Sequence, residues 1–301
     1  MSSLSDLPIE LIEQILNNLE ALERLIARKV SYSFRAIIDN LGPNLKTVHV
    51  NFHEKFSRLI LDENYGGVTY EQVDGACQVE YKNSGRVHAG RNHVEMLMED
   101  LKSLVKYPEV DEFLIQLATN NFNERKIILK AIESFFESLN FKLKAKKVII
   151  DDFTAREVSE ILQKFEPEIL EEITLQAQFL KYYEPINGVV ELEQWKKAKI
   201  LNNRSKFLIP IKHIVNFTQF DINVKDLTTD DALEIRDILI KSLTLESGYF
   251  RSVIANSVAI PSVFEPDHLF RKFALFEFKT PRCEFQFDCG PNYLSFQKKS
   301  L

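Results

Sequence analysis

The chain has 301 residues, 45% hydrophobic and 27% charged, a balance that fits a folded protein and excludes wholesale disorder. Its 38 basic and 44 acidic residues leave a net charge of −6, so general attraction to phosphate backbones, and a nucleic-acid partner with it, is not expected. Three widely spaced cysteines, Cys77, Cys283 and Cys289, imply neither a disulfide framework nor a thiolate metal site, and fit a reducing compartment.

The first predicted element is a helix from Leu7 to Leu19. At 100° per residue, Leu7, Leu11, Ile15, Leu19, Ile12, Leu16 and Ile9 fall in an arc of about 200°, whereas a helix lying on one core needs a stripe of only about 100°. Ser5 or Asp6 can cap the first N–H groups, Pro8 sits in the first turn, and Glu10 complements the dipole. Acidic residues therefore stand where a secretory signal would carry basic ones, and no apolar run is long enough to span a bilayer. The expected location is the cytoplasm and/or nucleus, with no membrane partner.

Two more short apolar segments follow, around Leu22, Leu25 and Ile26 and then Val30, Phe34, Ile37, Ile38 and Leu41, and Gly42-Pro43 ends the unit. Three such helices bury too little surface to fold securely alone. One face of the first helix can pack on the other two. The second calls for cover, either from the rest of this chain or from another protein.

The segment from Leu4 to Asn40 resembles an F-box. The family's Leu-Pro-x-Glu is Leu7, Pro8, Ile9 and Glu10, its Ile-Leu-x-x-Leu is Ile15, Leu16 and Leu19, and its Arg-x-Val is Arg28, Lys29 and Val30. Ser31 and Phe34 occupy positions where the family often has Cys or Ser and Trp or Leu. The resemblance implies docking on a Skp-type linker subunit, and through it a cullin, with the second apolar face given to that partner. The residues it implicates are Leu7, Pro8, Leu11, Ile12, Ile15, Leu16 and Leu19, helped by Leu25, Val30 and Phe34.

Beyond Pro43 the pattern changes. An apolar-x-x-apolar-x-apolar triplet recurs at Leu45/Val48/Val50, Val110/Phe113/Ile115, Ala145/Val148/Ile150, Leu170/Ile173/Leu175, Trp195/Ala198/Ile200, Phe217/Phe220/Ile222 and Phe250/Val253/Ala255. From the third onward the starts lie 25, 25, 22 and 33 residues apart, close to the period of leucine-rich repeats. Helical periodicity fills the intervals at 94–105, 127–139, 158–165 and 233–243, while 56–90 reads as extended segments joined by turns. The predicted fold is α/β: a small three-helix module over 1–43, then an irregular leucine-rich-repeat-like solenoid over 44–301. Alternating strands at 273–296 would cap its end, since an uncapped unit exposes a row of apolar side chains.

The stretches at 191–201 and 211–242 are similar to the FTH-type domain of the nematode F-box A proteins, with Gln194-Trp195-Lys196-x-Ala198 as the best marker. Together with the F-box, this implies an adaptor that holds a target protein while the F-box ties it to a cullin–RING ubiquitin ligase. The target is not named by the sequence. Loops at 62–68, 119–124 and 182–190 are candidates by position.

No motif for catalysis or cofactor binding emerges. GRVHAGR at 85–91 spaces its glycines like a P-loop, but Arg91-Asn92 stand where Lys and Ser/Thr must be. His88 and His93 read as surface-loop histidines, and the pairs Asp151-Asp152, Glu171-Glu172 and Asp230-Asp231 as caps and solvated edges. Trp195, the one tryptophan, reads as buried between repeats. No catalytic residue, metal or cofactor is therefore expected, and the protein is read as a non-enzyme. A second reading stays open, a scaffold that binds a Skp-type protein without promoting ubiquitin transfer.

Overall fold

The computed structural model of the chain describes residues 7–41, 45–62, 67–82, 84–105, 109–178, 182–255, 259–265 and 273–299. Ser5, Asp6, Gly42 and Pro43, and most of the loop at 62–68, lie outside the described residues. The chain divides into two units, residues 1–145 and 146–301. It is a mixed α/β protein whose helices lead and whose strands and crossover helices follow.

The first unit opens with helices α1 (Ile9–Asn17), α2 (Ala21–Val30) and α3 (Tyr32–Leu41). Strands β1 (Thr47–His53), β2 (Phe56–Leu61), β3 (Val68–Val73), β4 (Ala76–Tyr81) and β5 (Ser84–Ala89) then run as an antiparallel meander. Helix α4 (His93–Leu104) leads to β6 (Val110–Ala118), which pairs parallel to β1, and α5 (Phe122–Glu137) follows. Strict alternation drives β1: Val48, Val50 and Phe52 turn inward while their neighbours stay half-exposed. Asp74 and Gly75, both at positive φ, make the tight β3–β4 turn. Helix α4 closes the inner face with Val94, Leu97, Leu101 and Leu104.

Polar groups caught beneath α4 are paired. The Tyr70 hydroxyl donates to Asp100 Oδ2 at 2.6 Å, and the Ser57 hydroxyl meets His93 Nδ1 at 2.8 Å. His93 is thus not a surface-loop histidine: it starts α4, its side chain is buried, and its backbone N–H donates to Gln72 Oε1. Burial away from any counter-charge holds its imidazole down to about 4.

The second unit begins with β7 (Ala145–Asp151), α6 (Ala155–Leu162) and β8 (Glu172–Gln176), then the short elements β9 (Glu184–Pro185), α7 (Asn187–Val190) and α8 (Glu193–Lys197). Next come β10 (Ile200–Asn203), β11 (Phe207–Leu208), β12 (Gln219–Leu227), α9 (Thr229–Lys241), β13 (Ser247–Ala255) and α10 (Ile260–Phe264). Strands β14 (Ala274–Lys279), β15 (Glu284–Gly290) and β16 (Tyr293–Lys298) complete it. β7, β8, β10, β12 and β13 lie side by side in chain order, all parallel. β16 joins β13 antiparallel, followed by β15 and β14, so the C-terminal strands cover the edge of the last parallel strand. Capping boxes start two crossover helices, Thr154 with Glu157 and Thr228 with Asp231. Asp152 departs from the solvated-edge reading: it is buried at positive φ after β7, and its Oδ1 accepts the Gln178 N–H at 2.6 Å.

Trp195 stands in α8, and it is buried. Gln194 reaches back, donating from Nε2 to the Phe165 carbonyl at 2.7 Å, while the Trp195 indole reaches forward to the His213 carbonyl at 2.9 Å. One dipeptide thereby ties its own strand–helix unit to the two on either side. The triplet Trp195/Ala198/Ile200 is out of frame: Leu201 and Asn203 are buried, Ile200 is not, and the register pairs Leu201 with Ile173 and Asn203 with Leu175, so the inward set is Ala198, Leu201 and Asn203. The last triplet needs correction as well. Val253 is exposed, and the register pairs Phe220 with Gly248 and Ile222 with Phe250. The inward set of β13 is therefore Leu245, Gly248 and Phe250, a frame that periodicity misses because its middle member is glycine. A Cβ on Gly248 would lie 2.3 Å from Phe220 Cζ and 2.5 Å from Phe296 Cζ, so two rings from flanking strands fill its place.

Two measurements check these assignments. Gly248→Val is expected to destabilise the chain by about 1–3 kcal/mol, as overpacking does, with a lower urea midpoint. Because His93 takes its proton only near 4 when folded but near 6.5 when unfolded, lowering the pH through that window removes stability. His93→Gln is expected to lack this component, so the stability gap between wild type and variant narrows as the pH falls from 6.5 to 4.

Candidate functional site

Short helices pack when each gives up one apolar strip, and here α1 gives up only part of what it carries. Ile12 and Leu16 are 6% and 1% exposed, packed with Ile37 and Ile38 of α3 and against the half-buried Leu19, Ala27, Phe34 and Leu41. Leu11 and Ile15 are 45% and 38% exposed, and Leu7, one turn before Leu11, is exposed as well. On the helical wheel Leu11 and Ile15 lie about 40° apart beside the buried strip, while Leu7 stands just ahead of the helix, before the Pro8 cap. The broad arc is therefore two faces, one enclosed and one open.

Polar contacts hold the bundle in this arrangement. The buried Arg24 donates from Nε to the Leu19 carbonyl at 3.0 Å and from Nη2 to the Asn17 carbonyl at 2.8 Å. A cation thus satisfies carbonyls left over at the end of α1, where the dipole favours it. Arg28 grips Asp39 of α3 at 2.7 and 3.2 Å, the paired geometry that fixes one helix against another. Glu20 and Glu23 form a capping box on α2, and the Ser31 hydroxyl accepts the Phe34 N–H at the start of α3. Glu23 also meets Lys82 Nζ at 3.2 Å, and the Glu20 N–H and that ammonium hold its carboxyl below the usual range. Pro8 caps α1 through its backbone, its carbonyl accepting from the Leu11 and Ile12 N–H groups.

The ten residues singled out in the sequence divide by exposure. Leu7, Pro8, Leu11, Ile15 and Val30 are at the surface; Leu19 and Phe34 are half-buried; Ile12, Leu16 and Leu25 are enclosed. Three further apolar side chains are exposed on the same helices, Ile9, Ile26 and Tyr32. Arg24 is the residue that sequence reasoning left without a role. Its one signal is a cation just after the end of a helix. Covering a half-exposed aliphatic side chain gains about 1 kcal/mol, so the open strip offers several kcal/mol to whatever seals it.

Among the described residues, no group of three or more His, Cys, Asp or Glu is placed to hold a metal, and no helix is long and apolar enough to cross a membrane. A cavity of about 560 Å³ lies between α4 and α5, floored by Val94, Met98, Ile127 and Phe135.

Comparison with known proteins gives two domain matches. Residues 4–46 match the F-box domain and residues 126–267 the FTH domain. F-box A protein 224 of Caenorhabditis elegans is 28% identical over 277 residues, covering 88% of this chain and 71% of that protein. No solved structure matches.

The two faces of α1 are expected to respond differently to charge. Ile12→Asp with Leu16→Asp places carboxylates in the bundle core and abolishes α1–α3 helicity. Leu11→Asp with Ile15→Asp leaves the circular dichroism spectrum unchanged and the unfolding free energy within about 0.5 kcal/mol of wild type.

Proposed function

Because the chain belongs to the F-box A proteins, with an F-box ahead of an FTH domain, we propose that it acts as a substrate-recognition adaptor of an SCF-type cullin–RING ubiquitin ligase. In this reading the F-box, residues 1–43, docks a Skp-type linker, and residues 44–301 hold a target protein. The observation that carries the reading is the exposed pair Leu11 and Ile15, with Leu7 just ahead of it, beside the packed Ile12 and Leu16 of the same helix. Val30 and Pro8 extend the docking surface, whereas Ile12, Leu16 and Leu25 support it from within. The parallel strands in chain order support an irregular repeat array as the target-holding part.

The adaptor carries out no chemistry of its own. It raises the effective concentration of target lysines near a ubiquitin thioester held by other subunits, and this conversion of a bimolecular encounter into a local one is the whole of its contribution. Its working place is the cytoplasm and/or nucleus, where such ligases operate on folded targets.

Leu11→Asp with Ile15→Asp is expected to abolish co-purification with a Skp-type linker while the second unit stays folded, and retained binding contradicts the assignment. In a reconstituted ligase, a captured target is expected to gain ubiquitin only when the wild-type chain is present. Capture and linker binding without ubiquitin transfer would instead identify a non-degradative scaffold.

A further inference from the structure

The parallel strands of the second unit turn Phe220, Ile222 and Phe250 inward, and the alternate residues form the opposite face of the sheet. The strand register aligns those residues in rows. One row runs Leu275, Asp288, Ser295, Tyr249, Asp221 and Asn202 across β14, β15, β16, β13, β12 and β10. The next, one step along the pleat, carries Gly290, Tyr293, Arg251 and Asn223.

Where these rows meet, the side chains lock together. The Tyr249 and Tyr293 rings stack with centroids 5.8 Å apart and planes within 11°. Arg251 lies over Tyr249 at 5.0 Å and donates from Nη2 to Asp221 Oδ2 at 2.6 Å. At the far end the Tyr293 hydroxyl donates to Asp288 Oδ1 at 2.9 Å. Tyr293 can lie flat because its cross-strand partner is Gly290: a Cβ there would be 2.3 Å from Tyr293 Cε1. Two aromatic rings and a guanidinium are thus fixed before any partner arrives, and tyrosine and arginine held in this way are the side chains that dominate protein interfaces.

The charges decide what fits. Arg251 and Asp221 balance each other, whereas the Asp288 carboxylate makes no ion pair among the described residues and accepts from a neutral hydroxyl beside an aromatic stack. A carboxylate held beside a half-exposed tyrosine pair attracts a cation by its charge, and a guanidinium or ammonium can donate a charge-assisted hydrogen bond to it. Leu275, directly across from Asp288 and 71% exposed, adds an apolar contact alongside. We infer that the Tyr249–Tyr293–Asp288 cluster on the open sheet face is a docking point for a target-protein segment that presents a lysine or arginine next to an apolar side chain. The inference rests on the adaptor reading and moves target recognition from the loops to the sheet.

The test uses the full chain and immobilised random peptides, scored by retention against peptide composition. Wild type is expected to retain peptides pairing Lys or Arg with an apolar residue at least about fivefold more than acidic ones. Asp288→Asn keeps the acceptor for Tyr293 and is expected to erase that preference, as is Tyr249→Ala on a different strand. Glu234→Gln on exposed α9 removes the same charge and leaves the preference intact. Equal retention of basic and acidic peptides overturns the inference, as does equal behaviour of Asp288→Asn and Glu234→Gln. A preference for acidic peptides or nucleic acid through Arg251, or a self-association that Asp288→Asn dissolves, also overturns it. Loss of peptide preference with linker docking intact defeats this inference alone. Failure of linker docking with the preference intact defeats the adaptor reading alone.

Discussion

Helix α1 has more apolar circumference than a three-helix bundle can enclose, and the rest of the functional account depends on that mismatch. With Arg24 holding the end of α1 and Arg28 clamping α2 to α3, the bundle has one way to close, and it closes over Ile12 and Leu16. Leu7, Leu11 and Ile15 are left outside by geometry: α2 and α3 are already used. A contiguous exposed apolar strip is the kind of surface that marks a protein interaction site, which is why the proposed linker docking is placed there.

In the second unit the parallel strands β7, β8, β10, β12 and β13 pair in chain order, and packing between neighbouring elements covers their inner face. Gln194 and Trp195 tie successive units through backbone carbonyls, and Phe220 and Phe296 close over Gly248 where a side chain would collide. The antiparallel β14–β16 group ends the series with a cluster of rings, Phe264, Phe276, Phe287 and Phe296, that buries the last strand's inner face. One face of this sheet is spent on packing. The other carries the stacked Tyr249–Tyr293 pair.

Much of this was legible from the residues. The width of the apolar arc announced two faces on α1, the triplets located β7, β8 and β12, and the alternating phenylalanines located the C-terminal strands. Which strip of α1 faced inward was not legible, because the wheel gives width while the choice belongs to where α2 and α3 land. Arg24 looked like one more solvated base since its acceptors are main-chain carbonyls, which leave no trace in side-chain pattern. Gly248 hid the inward frame of β13 for a related reason: the volume at its position belongs to residues on β12 and β16. His93 misled because its partner, Ser57, lies 36 positions earlier in the chain.

On the proposed reading one polypeptide separates two tasks: a narrow hydrophobic strip for a linker subunit and a polar, aromatic sheet face for a target. Hydrogen–deuterium exchange of the full chain with and without a saturating Skp-type linker tests the first and central task most directly. Slowed exchange confined to residues 7–41 is the predicted result, and unchanged exchange there, or protection elsewhere in its place, contradicts the account.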